Sequence, residues 1–158
     1  MRLAVPAAAA WADTRLRLLH IGRDWEEGRA HAALLSRQER ERAERFRFAE
    51  DARRFVLGRA AVRRLLSEAV GAAPSELALM DGGNRKPFCP QAGGWSFNVS
   101  HSGDLVLVGM ARRGGIGVDV EARSGAPGDG PGDGIGSGTA FALPVPSGYV
   151  KERSRDSL

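Results

Sequence analysis

The residues best suited to chemistry lie in three short stretches. The first is Gly115-Ile116-Gly117-Val118-Asp119-Val120-Glu121, in which two carboxylates are separated by one apolar residue. On a strand this spacing puts Asp119 and Glu121 on one face, with Val118 and Val120 on the other. Two hard oxygen ligands on one side suit Mg²⁺, which takes one or two carboxylates and completes its octahedron with water and phosphate oxygens. An ordinary half-exposed strand alternates in the same way, so the spacing leaves both readings open. The second stretch is Phe97-Asn98-Val99-Ser100-His101-Ser102-Gly103. Here a histidine at a strand end, beside two hydroxyls and a glycine turn, can present donors to a phosphate. His101 could equally act as a base or cap the turn. No nucleophile-elbow pattern surrounds Ser100, which argues against a hydrolase triad. Asn98-Val99-Ser100 also matches a glycosylation sequon, a chance match on a cytosolic strand.

The third stretch is Arg85-Lys86-Pro87, where Lys86 follows an Asp-Gly-Gly-Asn turn. It can aim a cation at a phosphate or the edge of a base, or simply aid solubility. Arg42 and Arg54 lie on successive helices of a charged region, each most simply a surface arginine. The residues alone single out no catalytic nucleophile or base.

The elements that must position these groups can be read from periodicity. Arg15–Ile21 alternates Leu16 and Leu18 and predicts a first strand. Trp25–Leu35 has helical character. Ser36 with Glu39 forms a capping-box pattern that starts a second helix. Phe55, Gly58, Val62, Leu65, Leu66 and Ala69 recur at spacings of three and four. They predict one apolar stripe on a long helix from about Glu50 to Val70, stopped by Gly71. Beyond Asp81 the character changes to strands at Trp95–Ser100, Leu105–Ala111 and Gly115–Val120, joined by hairpin-like turns. The order predicts an α+β domain with helices packed on a small antiparallel meander. We expect a disordered start over 1–13, a subdomain over 14–113, and at 114–122 the first strand of a second subdomain. A disordered Gly/Pro/Ser-rich tail is expected over 123–158, because such composition buries too little to offset chain entropy.

Length, charge and cysteine content bound the alternatives. A chain of 158 residues can bury a real core. The single Cys89 rules out an internal disulfide and fits a reducing compartment. No apolar run approaches the ~18 residues of a membrane span, and Met1–Ala12 makes a poor secretory signal because its apolar stretch is short and broken by Pro6. A cytoplasmic protein is expected. The net charge of +4 raises nucleic-acid binding. However, the arginines between Ser36 and Arg54 are interleaved with Glu39, Glu41, Glu44, Glu50 and Asp51, as on a solvated helix. No run of aromatics interleaved with basic residues follows, so stacking on bases has little support, and neither a nucleic-acid nor a membrane partner is expected.

The charged helical stretch, R-K-P, F-N-V-S-H-S and G-I-G-V-D-V-E occur in an order and spacing that resemble the Sfp-type 4'-phosphopantetheinyl transferases. The resemblance covers Leu16 to Glu121. It implies transfer of the phosphopantetheine arm of coenzyme A to a serine of an acyl or peptidyl carrier protein, with Mg²⁺ required and adenosine 3',5'-bisphosphate leaving. The implied fold has two similar α+β halves related by a pseudo-twofold axis, of which this chain carries the first. Asp119 and Glu121 would be Mg²⁺ ligands. His101, with Ser100 beside it, would bind the coenzyme's phosphates; Lys86 would flank the adenine nucleotide; Arg42 and Arg54 would hold its 3'-phosphate. Acidic carrier proteins would be steered in by the net positive charge.

One part of the pattern is missing. The resemblance implies a W-x-x-K-E-A helix in the second half, with a third carboxylate and a lysine, and Lys151-Glu152 lacks the flanking Trp and Ala. The shift to Gly, Pro and Ser after Glu121 is what an out-of-frame reading of GC-rich DNA produces, so a truncated or frameshifted second half and impaired transfer are expected. The rival readings are a degenerate coenzyme- or nucleotide-binding module without transfer activity, and an arginine-rich nucleic-acid binder.

Overall fold

The computed structural model describes residues 3–4, 13–82, 87–112, 114–122 and 138–145. In chain order the elements are β1 (Leu3–Ala4), β2 (Thr14–His20), α1 (Gly28–Ala33), α2 (Arg37–Glu44) and α3 (Ala49–Val70). The short pair β3 (Met80–Asp81) and β4 (Pro87–Phe88) follows, then β5 (Trp95–Ser102), β6 (Leu105–Arg112), β7 (Gly115–Ala122) and β8 (Gly138–Val145). The class is α+β, as the order of patterns predicts. Among the described residues no helix is long and apolar enough to cross a membrane.

The helices begin and end where local chemistry dictates. Ser36 Oγ accepts from Glu39 N at 3.2 Å while the Glu39 carboxylate accepts from Ser36 N at 2.9 Å, the reciprocal capping box read from the sequence. Gly71 ends α3 in the left-handed region at φ 76°, where a side chain would be strained. Predicted as a single-striped helix, α3 is in fact buried on two sides. Leu57, Ala61, Val62, Leu65 and Leu66 face the sheet, whereas Val56 and Ala60 pack with Leu35 beneath α1 and α2. The second side arises because the helices before α3 fold back across it.

Between these stripes sits Arg63, only 1% exposed. Its Nε donates to Glu39 Oε2 at 2.8 Å, and its Nη1 donates to Leu77 O at 2.9 Å and to Pro74 O. A buried charge survives only when paired and hydrogen-bonded, and this one ties α2, α3 and the loop after α3 together.

Apart from the β3–β4 pair, the described strands form two stacked sheets instead of one meander. The first has the order β2-β6-β5, antiparallel throughout. Its central strand β6 is buried from Leu105 to Ala111. Val106, Val108 and Met110 join the α3 cluster, while Leu105 and Leu107 pack on Val120 from the other side. A strand has two edges, and β6 gives one to β5 and the other to β2. None is left for β7, so the predicted three-stranded meander does not form. Instead β7 crosses onto the far face and pairs with β8, which in turn pairs with β1. Gly109 permits the close approach: a Cβ there would overlap Val118 Cγ1 and stand 2.9 Å from Ile116 Cδ1.

The structure differs from the composition reading at both ends of the chain. Leu3–Ala4 forms β1, within the stretch expected to be unstructured. Gly138–Val145 forms β8, within the expected tail. Its Thr-Ala-Phe-Ala-Leu-Pro-Val run is the least polar part of that tail, and β7 offers it an open backbone edge. The remaining residues of 1–12 and 123–158 lie outside the described residues.

Candidate functional site

Asp119 and Glu121 are exposed on β7, and their neighbour Val120 is buried. The alternation expected of this strand is therefore realised. What holds β7 in place is a set of side chains on β5. Ser96 Oγ donates to Gly114 O at 2.6 Å, and Asn98 Nδ2 donates to Ile116 O at 3.3 Å. Ser100 Oγ accepts from Val120 N at 3.2 Å, and Ser102 Oγ accepts from Ala122 N at 3.2 Å. Every second residue of β5 thus supplies the partner that a neighbouring strand's backbone would otherwise give. Ser100 Oγ also donates to Asp119 Oδ1 at 3.1 Å.

His101 faces the other way. It lies opposite Val106 in the β5–β6 register, and Val106 belongs to the α3 cluster. Alternation therefore separates His101 from Ser100, which the sequence reading placed together at a phosphate. On the His101 face, a Cβ at Gly58 of α3 would stand 3.4 Å from Val99 Cγ1 and 3.5 Å from Val106 Cγ1. One helical turn earlier, Arg54 Nε donates to Gly103 O at 2.7 Å, in the turn between β5 and β6. Its Nη1 donates to Asp51 Oδ1 at 2.7 Å, and its Nη2 lies 3.8 Å from Glu50 Oε2.

Gly103 is the joint between the two groups. Its carbonyl binds Arg54, while its φ of 52° favours glycine and a Cβ there would stand 3.1 Å from Ala122 Cβ. The carboxylate strand and the Arg54–His101 side thus flank one end of the β5–β6 hairpin. Arg42, in the last turn of α2, lies farther along: its guanidinium is 5.1 Å from the Phe55 ring centroid, and that of Arg59 is 5.6 Å from the same ring. Burial lowers the Arg59 pKa, opposed by Glu39 and Asp81 and reinforced by the like charges of Arg42 and Arg63. Lys86 lies outside the described residues.

Sequence reasoning missed Ser96, Asn98 and Ser102 as the holders of β7. The signal was present as a polar residue at every second position of β5, but the same alternation reads as a strand with one face in water. A cleft of about 600 Å³ lies at the opposite end of these strands, lined by residues including Arg15, Glu68, Trp95 and Arg112. It is remote from the carboxylates and from Arg54.

Among the described residues no group of three metal-ligating side chains converges. Two exposed carboxylates on one strand face are nevertheless the donor set Mg²⁺ uses when phosphate oxygens and water complete its shell. The residues present fit that ion as a shared ligand, with no dedicated protein cage.

The family profile described as "4'-phosphopantetheinyl transferase, N-terminal" matches residues 23–112. The match includes Arg42, Arg54, Ser100 and His101 and stops before Asp119 and Glu121. A phosphopantetheinyl transferase of Thraustochytrium sp. is 42% identical over 54% of this chain and 31% of its own length. The 4'-phosphopantetheinyl transferase psf-1 of Bacillus pumilus is 39% identical over 55% of this chain and 37% of its own. The transferase Sfp of Bacillus subtilis is 32% identical over 61% and 42%. The chain thus spans under half the length of these relatives. With more than half of its residues matched by the profile, the chain belongs to the 4'-phosphopantetheinyl transferase family, to whose N-terminal region it corresponds.

Proposed function

We propose that this chain carries the coenzyme-facing half of a site that moves the 4'-phosphopantetheine arm of coenzyme A onto a serine of an acyl or peptidyl carrier protein. The observation that carries the reading is the pairing, around Gly103, of a two-carboxylate strand face with an arginine–histidine side, in a chain that belongs to this family.

Asp119 and Glu121 would hold Mg²⁺, which when bound neutralises charge on the coenzyme's diphosphate. Arg54 keeps Nε on Gly103 O and turns its Nη atoms from Asp51 and Glu50 toward phosphate. His101 donates from the α3 side of the hairpin, and Arg42 and Lys86 supply further cations to the adenine nucleotide. The carrier's serine oxygen forms the new bond to phosphorus, the bond to adenosine 3',5'-bisphosphate breaks, and the serine proton leaves to solvent. The chain needs no nucleophile of its own, because phosphoryl transfer asks mainly for positioning and charge neutralisation. A net charge of +4 favours encounter with an acidic carrier protein. The cytoplasm, where coenzyme and thiols are reduced, is the compartment this reading requires.

The 158 residues contain no W-x-x-K-E-A sequence, so transfer by this chain is expected to be slower by ~10² or more than with the third carboxylate and lysine in place. The test incubates the chain with apo-carrier protein, coenzyme A and Mg²⁺ and follows the carrier by mass spectrometry. A slow gain of one phosphopantetheine arm, abolished in Asp119→Asn, is the expected result. Coenzyme binding with no mass gain on the carrier over long incubation would favour the binding-module reading instead.

A further inference from the structure

We propose that Ser100 is a positioning residue that fixes the Asp119 carboxylate for a divalent cation, and that its hydroxyl does not bind phosphate. The inference rests on the reading of Asp119 and Glu121 as cation ligands.

A serine hydroxyl has one proton to donate and two lone pairs to accept with. In Ser100 the proton goes to Asp119 Oδ1 at 3.1 Å, and a lone pair accepts from Val120 N at 3.2 Å. One hydroxyl therefore grips the side chain of one residue and the backbone of the next. Its neighbours on the same face of β5 do not: Ser96 bonds backbone carbonyls, and Ser102 accepts from the backbone of Ala122. The donor of Ser100 alone among the three is directed at a carboxylate.

The grip matters because Asp119 is exposed and would otherwise sample several rotamers. The grip is on Oδ1, so Oδ2 stays outside that hydrogen bond, on an exposed strand face that also carries Glu121. Partners that orient a metal ligand in this way typically change metal affinity by about 10–100-fold when removed. Phosphate binding by the hydroxyl would require breaking the Asp119 contact. His101, the donor expected to share that phosphate, is on the other face of β5.

The test uses the full 158-residue chain and Mn²⁺ alone, read by paramagnetic broadening of the Asp119 and Glu121 amide resonances. The wild type should show saturable broadening centred on β7. Ser100→Ala should raise the apparent Mn²⁺ dissociation constant about 10-fold or more. Ser100→Thr, which keeps the hydroxyl, should restore binding close to wild type. Ser102→Ala removes a hydrogen bond to the β7 backbone without touching a carboxylate, so it should leave Mn²⁺ affinity unchanged. Equal losses in Ser100→Ala and Ser102→Ala would overturn the inference, because strand anchoring would then explain both. Unchanged affinity in Ser100→Ala would overturn it as well, while leaving the carboxylates as ligands. A wild type with no broadening on β7 would refute the cation reading itself and the role of Ser100 with it.

Discussion

Gly109→Ala should destabilise the protein and displace the carboxylate strand, although residue 109 touches no candidate ligand. Gly109 is buried at the centre of β6, opposite Leu16 of β2 and Asn98 of β5. An added methyl would overlap Val118 Cγ1, with Ile116 Cδ1 at 2.9 Å and Leu16 Cδ2 at 3.2 Å. Strand β7 lies on one side and β2 on the other, so no single rotamer change relieves all three contacts. Overpacking of this kind costs about 1–3 kcal/mol. For a chain of this size, 2 kcal/mol lowers the melting midpoint by about 4–8 °C. The freest response is for β7 to lift away, which would lengthen the Ser100–Asp119 and Ser100–Val120 hydrogen bonds. Urea denaturation and amide shifts of residues 114–122 measure the two effects together. Gly58→Ala is the matched control. Its Cβ would meet Val99 and Val106 at ordinary contact distances of 3.4 and 3.5 Å. Mid-helix Gly costs roughly 0.5–1 kcal/mol relative to Ala, so this variant should be neutral or more stable. If Gly109→Ala unfolds within about 0.5 kcal/mol of wild type with unshifted β7 amides, the close-packed two-sheet account is wrong.

Two further outcomes are expected. Glu39→Ala leaves the Arg63 guanidinium, 1% exposed, without its carboxylate and removes half of the α2 capping box. It should cost about 3–5 kcal/mol in urea denaturation, and a loss below about 1 kcal/mol would contradict the pairing as a stabilising link. Burial alone would raise the Asp24 pKa, but hydrogen bonds from Arg23 and His20 N, with the Arg23 charge, hold it below the ordinary 3.8. A depressed carboxylate contributes stability above its ordinary value and loses it as pH falls through the folded value. Wild type should therefore lose more stability than Asp24→Asn between pH 5 and the acid side of 3.8, and equal losses would remove Asp24 as the cause.

The parts of the fold legible in the sequence were those set by nearest neighbours. Ser36 and Glu39 are three residues apart, and their mutual capping is a local event. The 22 residues of α3 and its stop at Gly71 follow from apolar spacing and one glycine. Period-two alternation alone puts Asp119 and Glu121 on one face, with no tertiary contact needed. By contrast, the second edge of β6 is filled by β2, about ninety residues away in the chain, and nothing local announces that pairing. Arg63 was hidden for the same reason: an arginine between apolar helix positions reads as surface until Glu39 and two distant carbonyls are brought to it.

The polar residues of β5 show how a correct local reading can attach to the wrong partner. The hydroxyls of Ser100 and Ser102 read from the sequence as donors to a ligand, and with Asn98 they lie on a polar strand face, which ordinarily points away from the core. They do face away from α3, but toward a second sheet. Hydrogen bonds of this kind contribute about 0.5–1.5 kcal/mol each, so several of them, with the apolar contacts of Ile116 and Val120, hold β7 against the first sheet. The backbone ladder of β7 is made with β8, in the segment that composition alone would discard. The placement of Asp119 and Glu121 therefore depends on two unlike supports. One is side chains of β5, which fix the strand's position and the Asp119 rotamer. The other is the ladder with Gly138–Val145, which keeps β7 extended so that both carboxylates stay on the same face.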